Sequence, residues 1–276
     1  MSFETSRRGF LTGASAAVLA PLHGVIARAE NAPFKLAVAT YSLREFQRDL
    51  AIRMIKQMNV RYANVKEYHL PANDTPKQLA KGRREFEEAG IEIVAGGVIT
   101  LDQNDDADIR RYFEYAKTCG MPLMVIAPTT ETMPRIEPFV KEYNIKTAIH
   151  NHGPEDKHFP TPQSSLQAVK NLDQRCGVCI DVGHTLRAGA DVLESISEAG
   201  PRLFDMHIKD ARDMKKGDGC PVGDGVFPIV DIFKRLRKMN YAGTVSLEYE
   251  IEADNPLAGM KASFAYMRGV LAGLGS

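Results

Sequence analysis

The sequence lacks several features that mark particular classes of protein. It has no basic excess, since 35 lysines and arginines face 35 aspartates and glutamates, and this excludes a sequence-independent nucleic-acid binder. Its four cysteines show no dense spacing, which excludes a disulfide-stapled scaffold. Long apolar runs of the kind that a multi-span membrane protein needs are missing as well. What is present, 44% apolar and 25% charged residues over 276 positions, is typical of a globular protein with a sizeable core.

The amino-terminal residues predict an export signal. Arg7-Arg8 is followed by Gly-Phe-Leu, by a mildly apolar stretch over residues 12–22, and by Ala27-Arg28-Ala29, a small-x-small cleavage site. Paired arginines in this setting resemble a twin-arginine (Tat) signal. We therefore expect residues 1–29 to engage the Tat export machinery and to be cleaved after Ala29. Residues 30–276 would then be a periplasmic protein with no stable membrane anchor.

The remaining chain alternates short, β-rich apolar runs with longer segments of helical period. Strands are predicted at 35–41, 62–67, 91–95, 123–126, 146–150, 177–181, 203–209 and 244–248. Helices are predicted at 44–58, 75–89, 106–119, 131–142, 162–172, 191–198, 229–239 and 256–272. Eight β-α units without a change in composition predict a single (β/α)8, or TIM, barrel. An open doubly wound sheet is the alternative, but no glycine-rich phosphate loop follows the first strand.

Ionisable side chains collect at the carboxyl ends of five predicted strands. They are Glu67 and His69 in the second unit, His150 and His152 in the fifth, Asp181 and His184 in the sixth, His207 and Lys209 in the seventh, and Glu248 in the eighth. In a barrel these ends meet at one face, which is where TIM barrels carry their chemistry. Imidazole and carboxylate donors together suit Mn, Co, Zn, Mg or Fe. We therefore expect one divalent metal ion that holds sugar oxygens and polarises a carbonyl.

These motifs resemble the xylose isomerase-like barrel superfamily, in its sugar phosphate isomerase/epimerase branch. The run from Ala148 to Gly153 is similar to the family sequence Ala-Ile-Glu-Asn-His-Gly, and the run from Asp181 to His184 is similar to its Asp-x-x-His. The strand-seven histidine motif, the terminal glutamate and a Gly-x-Gly turn also have counterparts, at His207, Glu248 and Gly223-Asp224-Gly225.

The resemblance implies a site and a reaction class. The metal ligands would be His150, Asp181, His207 and Glu248. The activity would be that of a divalent-metal-dependent sugar isomerase or epimerase, which removes the proton beside a carbonyl and passes through an enediolate. The partner would be a small-molecule carbohydrate rather than a nucleic acid, and a homo-oligomer is left open.

One position departs from the family pattern. His150 stands where the family carries its first glutamate, and strand alternation sends His150 and His152 to the same side. Either histidine could hold the metal, and we favour His150. Without that glutamate, Glu248 is the remaining member of the family's carboxylate pair. Two alternatives therefore stay open: a metal-dependent lyase or dehydratase of keto-sugars or 3-keto-glycosides, and a periplasmic carbohydrate-binding barrel without activity.

The other candidate residues receive catalytic or substrate-binding roles. Glu248 is the expected base, and Lys209 and His152 are expected to assist it. Lys209 follows His207 by two residues and so shares its side of the strand, although a salt bridge to a barrel carboxylate is the simpler interpretation. Substrate contacts are expected from four further residues: Glu67, His69, His184 and Arg187. The alternative interpretations are hydrogen bonds that order a loop, or a solvated position.

Overall fold

The computed structural model describes residues 34–214 and 217–275. The predicted Tat signal and its cleavage site, and with them the predicted boundary at residues 29 and 30, lie outside these residues. Within the described ranges, no helix is both long enough and apolar enough to cross a membrane.

Eight parallel strands close into a barrel, which confirms the predicted (β/α)8 fold. The barrel strands are β1 (Lys35–Ala39), β2 (Tyr62–Val65), β3 (Glu92–Leu101), β4 (Leu123–Pro128), β5 (Lys146–His150), β6 (Cys176–Asp181), β7 (Leu203–Ile208) and β8 (Thr244–Leu247). Each strand pairs with its neighbours in chain order, and β8 closes the ring on β1. A two-residue antiparallel ladder, Asp210–Ala211 with Gly219–Cys220, follows β7.

Helices cover the outside of the barrel. They are α1 (Arg48–Gln57), α2 (Pro76–Glu88), α3 (Asp106–Cys119), α4 (Met133–Tyr143), α5 (Pro162–Val169), α6 (Val182–Arg187), α7 (Val192–Ala199), α8 (Ile229–Lys238) and α9 (Leu257–Leu274). Helix α8 shows why these segments dock: its buried residues are Ile229, Ile232, Phe233 and Leu236. That spacing puts one apolar stripe on the sheet and leaves the basic residues of the helix on the opposite side.

The observed elements depart most from the predicted ones in three places. A 3-10 turn over Thr40–Leu43 follows β1, so that α1 begins at Arg48 rather than at residue 44. Strand β3 runs on to Leu101 rather than ending at residue 95. Helix α6 was not predicted, because its six residues are too few to show a helical period.

The barrel sheet carries an apolar layer on each of its two faces. The larger core packs the outer face of the sheet against the helices. A smaller cluster, formed by Ala95, Leu123, Val125, Ala148 and Cys179, lies on the inner face. Because side chains alternate along a strand, the residues two positions beyond Ala148 and Cys179 also face inward, nearer the carboxyl end. Those residues are His150 and Asp181, so the barrel directs both of them into its mouth.

Candidate metal centre and active site

Four buried side chains converge at the carboxyl end of the barrel. His150 ends β5, Asp181 ends β6, His207 lies near the end of β7, and Glu248 directly follows β8. Each offers one nitrogen or oxygen atom, and these four atoms all lie within 4.8 Å of one another. The structure therefore brings together the four residues that the sequence assigned to a metal.

Several donor atoms of this cluster lack a hydrogen bond. His150 Nε2, Asp181 Oδ2 and His207 Nδ1 are buried without one, although Asp181 Oδ2 has Lys209 Nζ at 3.0 Å as an ion-pair partner. His150 Nε2 lies 3.4 Å from Asp181 Oδ2, and His207 Nδ1 lies 3.3 Å from Glu248 Oε2. Leaving a buried polar atom unpaired costs about 1–3 kcal/mol, so the two imidazole nitrogens aimed at one point indicate a ligand. Two imidazole nitrogens and two carboxylate oxygens fit a divalent ion, which these four residues would hold.

The two ligand imidazoles differ in their electrostatics. Burial opposes the charged form of His207, but the neighbouring Cys179 and Glu248 hold the pKa of that ring well above its usual value, so a metal would displace a proton from it. Burial lowers the pKa of His150 to about 4, and it lowers the pKa of His184 to about 4 as well. The rings of His150 and His184 are therefore neutral near pH 7. A metal ligand must offer a free nitrogen lone pair, which a neutral imidazole has and an imidazolium lacks.

The two histidines of strand five occupy different places. His150 is buried within the cluster, whereas His152 is exposed and lies outside it. The His152 ring centroid lies 5.5 Å from that of His150 and 4.7 Å from that of His184. His152 and His184 therefore form a pair at the solvent side of the cluster, where a substrate would enter.

Lys209 joins three carboxylates. Its Nζ lies 3.0 Å from Asp181 Oδ2, 2.9 Å from Glu248 Oε2 and 3.2 Å from Glu250 Oε2. Burial raises the pKa of the Glu248 carboxyl, but the charges of Lys209 and His207 outweigh burial and hold that pKa well below its usual range. Glu248 is therefore ionised at neutral pH. Lys209 makes the salt bridges that were its simpler interpretation, and it also lies against two of the proposed ligands.

A polar layer beneath the cluster supports His207. Asn64 Nδ2 lies 3.2 Å from His207 Nε2 and donates to Asp205 Oδ2, also at 3.2 Å. Ser246 Oγ donates to Asp205 Oδ1 at 3.1 Å. These contacts hold the Nε2 side of the ring toward the barrel interior and leave Nδ1 facing the cluster.

Asn64 and Asp205 were not among the residues predicted from the sequence. Asp205 could have been found from its position two residues before His207, on the same inward face of the strand.

Helix α6 and the loop after β5 shape the rim. Asp181 Oδ1 accepts the backbone N–H of His184 at 2.7 Å, so one carboxylate both caps α6 and faces the cluster. Arg187 donates to Glu155 through two nitrogens, at 2.8 and 3.0 Å, and its Nη2 lies 2.9 Å from His184 Nδ1. This network places the two predicted substrate-binding residues of strand six, His184 and Arg187, side by side at the entrance.

The strand-two candidates lie elsewhere. His69 is 1% exposed, and its Nε2 lies 3.2 Å from the Leu43 carbonyl oxygen. Burial lowers the pKa of His69 to about 4. This environment is that of a loop-ordering histidine and argues against a substrate contact. Glu67 is half-buried, burial raises its pKa, and it does not line the cavity beside the cluster.

A cavity of about 240 Å³ adjoins the cluster. Its ionisable lining residues include His184, Arg187, Lys209, Glu248 and Glu250. Its apolar and aromatic lining residues include Val222, Phe227, Tyr249 and Ile251. Glu250 was not among the predicted site residues, and the structure adds it to the cavity through its contact with Lys209.

Asp210 holds the loop that forms this wall. Its carboxylate accepts backbone N–H groups from Ala211 at 2.9 Å, Gly223 at 2.9 Å, Gly225 at 3.2 Å and Phe227 at 3.1 Å. A Cβ atom at Gly225 would collide with the same carboxylate. The close approach of the loop to Asp210 therefore requires glycine at position 225, and the φ of +105° favours glycine at position 223.

Comparison with known proteins identifies the family. The model of the xylose isomerase-like TIM barrels matches residues 52–270. The chain belongs to the xylose isomerase-like TIM barrel family. No curated protein sequence matches it.

Solved structures show the same fold at low identity. The IolI protein, which has a bound zinc atom, is 18% identical with a TM-score of 0.73, and the match covers 87% of this chain and 99% of that one. The D-psicose 3-epimerase of Clostridium cellulolyticum H10, solved with D-tagatose, is 16% identical with a TM-score of 0.68, covering 86% and 99%. The probable 3-DHS dehydratase AsbF of Bacillus anthracis is 13% identical with a TM-score of 0.68, covering 85% and 98%. This family member thus shares its barrel with proteins that catalyse different reactions.

Proposed function

We propose that this protein is a divalent-metal-dependent sugar isomerase or epimerase that removes a proton beside a carbonyl. The observation that carries the proposal is the set of four convergent donors, three of whose atoms are buried without a hydrogen bond. The D-psicose 3-epimerase among the similar structures supports the reaction class. A bound divalent ion would polarise the carbonyl and lower the pKa of the neighbouring C–H group.

Glu248 is the proposed base. Its carboxylate is ionised, buried and part of the cavity lining, so it is available to take the proton from the carbon beside the carbonyl. The electron pair of that C–H bond then forms the enediolate. A proton delivered by His152 or Lys209 to the opposite face of the same carbon completes epimerisation. Return of the proton to the adjacent carbon, with transfer of the hydroxyl proton to the former carbonyl oxygen, completes isomerisation. Lys209, 2.9 Å from Glu248 Oε2, offsets the negative charge that builds up. His184 and Arg187 bind substrate oxygens at the rim, and His152 assists from the solvent side.

A lyase or dehydratase is the second candidate, because His150 occupies the cluster position at which the family carries a glutamate. An elimination needs only one base: Glu248 takes the proton, the C–H electrons form a double bond, and a neighbouring oxygen leaves and is protonated. The dehydratase among the similar structures supports this alternative. A keto-sugar or 3-keto-glycoside would be the substrate.

Deuterium uptake tests both reactions. The metal-loaded protein is incubated in heavy water with a panel of keto-sugars and 3-keto-glycosides, and exchange at the carbon beside the carbonyl is followed by NMR. Glu248→Gln keeps the shape and one oxygen but removes the base, so exchange should fall by about 100-fold or more. Glu92→Gln, at an exposed salt bridge 2.7 Å from Lys35, is the matched control.

The products separate the candidate reactions. Exchange with an epimeric or isomeric product supports the isomerase, and exchange with release of a neighbouring oxygen substituent supports the lyase. Exchange at the wild-type rate in Glu248→Gln would assign the base to His152 or Lys209. Full metal content with no exchange on any substrate would favour a carbohydrate-binding barrel without activity.

We also propose that the protein is exported to the periplasm by the Tat pathway. The support is the sequence itself: Arg7-Arg8, the mildly apolar stretch after them and the cleavage site at Ala27-Arg28-Ala29. A Tat substrate folds before export, which suits a barrel that takes up its metal in the cytoplasm.

A further inference from the structure

The cavity beside the metal cluster is lined by two chemically different sets of side chains. Lys209, Glu248 and Glu250 are charged, and Glu248 is itself part of the cluster. Val222, Phe227 and Ile251 are apolar and form the apolar wall; the first two stand on the loop after β7 and the third on the loop after β8. A free sugar carries a hydroxyl group on nearly every carbon, so the charged set matches its chemistry and the apolar wall does not.

Two residues of the apolar wall are held in place by the fold. The Asp210 carboxylate accepts N–H groups from both sides of Val222, at Ala211 and Phe227 among others. Val222 N–H also donates to Ser263 Oγ of helix α9 at 2.9 Å. Because the backbone of this loop is held at several points, Val222 and Phe227 keep their places in the wall instead of rearranging around a polar ligand.

Burial energetics decide which group this wall accepts. A sugar hydroxyl placed there would lose its hydrogen bonds to water without gaining a partner, which is unfavourable. An apolar substituent would instead gain free energy in proportion to the apolar area removed from water.

We infer that the substrate is an amphiphilic keto-sugar, a sugar ring that carries an alkyl or aryl substituent, with the ring oxygens toward Lys209 and Glu248 and the substituent against Val222, Phe227 and Ile251. This inference rests on the proposed function, because it takes the ring to be the reacting part. The apolar wall would then select substrates that carry such a substituent.

Paired ligands test the inference. The methyl and phenyl glycosides of one keto-sugar are titrated into metal-loaded protein by calorimetry, with no turnover needed for the readout. The phenyl glycoside should bind at least about tenfold more tightly, because burying about 60 Å² more apolar surface is worth about 1.4 kcal/mol.

Two variants locate the preference. Ile251→Asn places an amide at the partly exposed edge of the wall, so it should weaken phenyl glycoside binding about tenfold and leave methyl glycoside binding unchanged. Val226→Asn changes a 52% exposed residue that does not line the cavity, on the loop after β7 that carries Val222 and Phe227, and it is the matched control. Thermal unfolding and metal content confirm that each variant is folded and loaded.

Two results would overturn the inference: equal binding of the two glycosides, or a phenyl preference that survives Ile251→Asn unchanged. Failure of the proposed function looks different. There the phenyl preference would be present in calorimetry, while deuterium uptake would be absent for both glycosides.

Discussion

Removing the charge of Lys209 tests how that charge affects the stability of the metal-free protein and its affinity for the metal. The Lys209 ammonium lies 3.0 Å from Asp181 Oδ2 and 2.9 Å from Glu248 Oε2, and these are the oxygens that would bind the metal. In metal-free protein the lysine offsets their negative charge, and in metal-loaded protein it stands beside a second cation. Lys209→Met should therefore have two opposite effects, a less stable apoprotein and tighter metal binding.

The structure sets the size of both effects. The Lys209 side chain is 14% exposed and that of Asp181 is fully buried, and breaking a buried ion pair costs about 3–5 kcal/mol. The apoprotein should lose stability on that scale. Two unit charges 4 Å apart repel by about 4 kcal/mol at an effective dielectric constant of about 20. Lys209 can turn toward Glu250, 3.2 Å away, to relieve most of this repulsion. We therefore expect metal affinity to rise by about 1.4 kcal/mol, or tenfold.

Calorimetric titration with Mn²⁺ or Zn²⁺ and chemical denaturation of chelator-treated protein measure the two quantities. Lys209→Arg keeps the charge and should stay near wild type in both. Lys234→Met removes an exposed lysine that pairs with Asp231 at 3.0 Å and is the control. Weaker metal binding by Lys209→Met would refute the reasoning, because it would mean that the lysine organises the ligands instead of competing with the ion.

Three further predictions address the ligands, the loop and export. Elemental analysis of gently purified protein should find about one divalent ion per chain, as expected for a single ligand cluster, and Asp181→Ala or His207→Ala should abolish it; full retention in both variants would contradict the assignment. Asp210→Asn should destabilise the loop around Gly223 and Gly225 by about 1–3 kcal/mol, because one acceptor becomes a donor among backbone N–H groups. Faster amide hydrogen exchange there would show this, Asp231→Asn serves as control, and unchanged exchange would contradict it. Arg7→Lys combined with Arg8→Lys should trap the precursor in the cytoplasm in a fractionation assay, and unchanged periplasmic delivery would rule out the Tat route.

Much of the architecture is readable along the chain. The strand and helix periods of 2 and 3.6 are local properties, so eight alternating units predicted the barrel and most element positions. Helix α3 and strand β5 begin and end at the predicted residues. Strand-end positions also predicted the cluster of His150, Asp181, His207 and Glu248, because parallel strands in a barrel deliver their carboxyl ends to one face.

Other features depend on distances across the barrel, which no local pattern encodes. Alternation sends His150 and His152 to the same side, yet the closed barrel buries the first within the cluster and leaves the second at the rim. Likewise, His69 follows a strand end as the ligands do, but the turn after β1 covers it.

The charged and polar contacts of the site also depend on distances across the barrel. The approach of Lys209 to Asp181, Glu248 and Glu250 joins three strands or the loops after them, and Asn64 reaches His207 across the barrel interior from β2. A sequence shows which side chains face inward, through periodicity. Which of them meet is decided by closure of the ring, because closure sets the stagger between strands and hence the separation of groups that lie far apart in the chain.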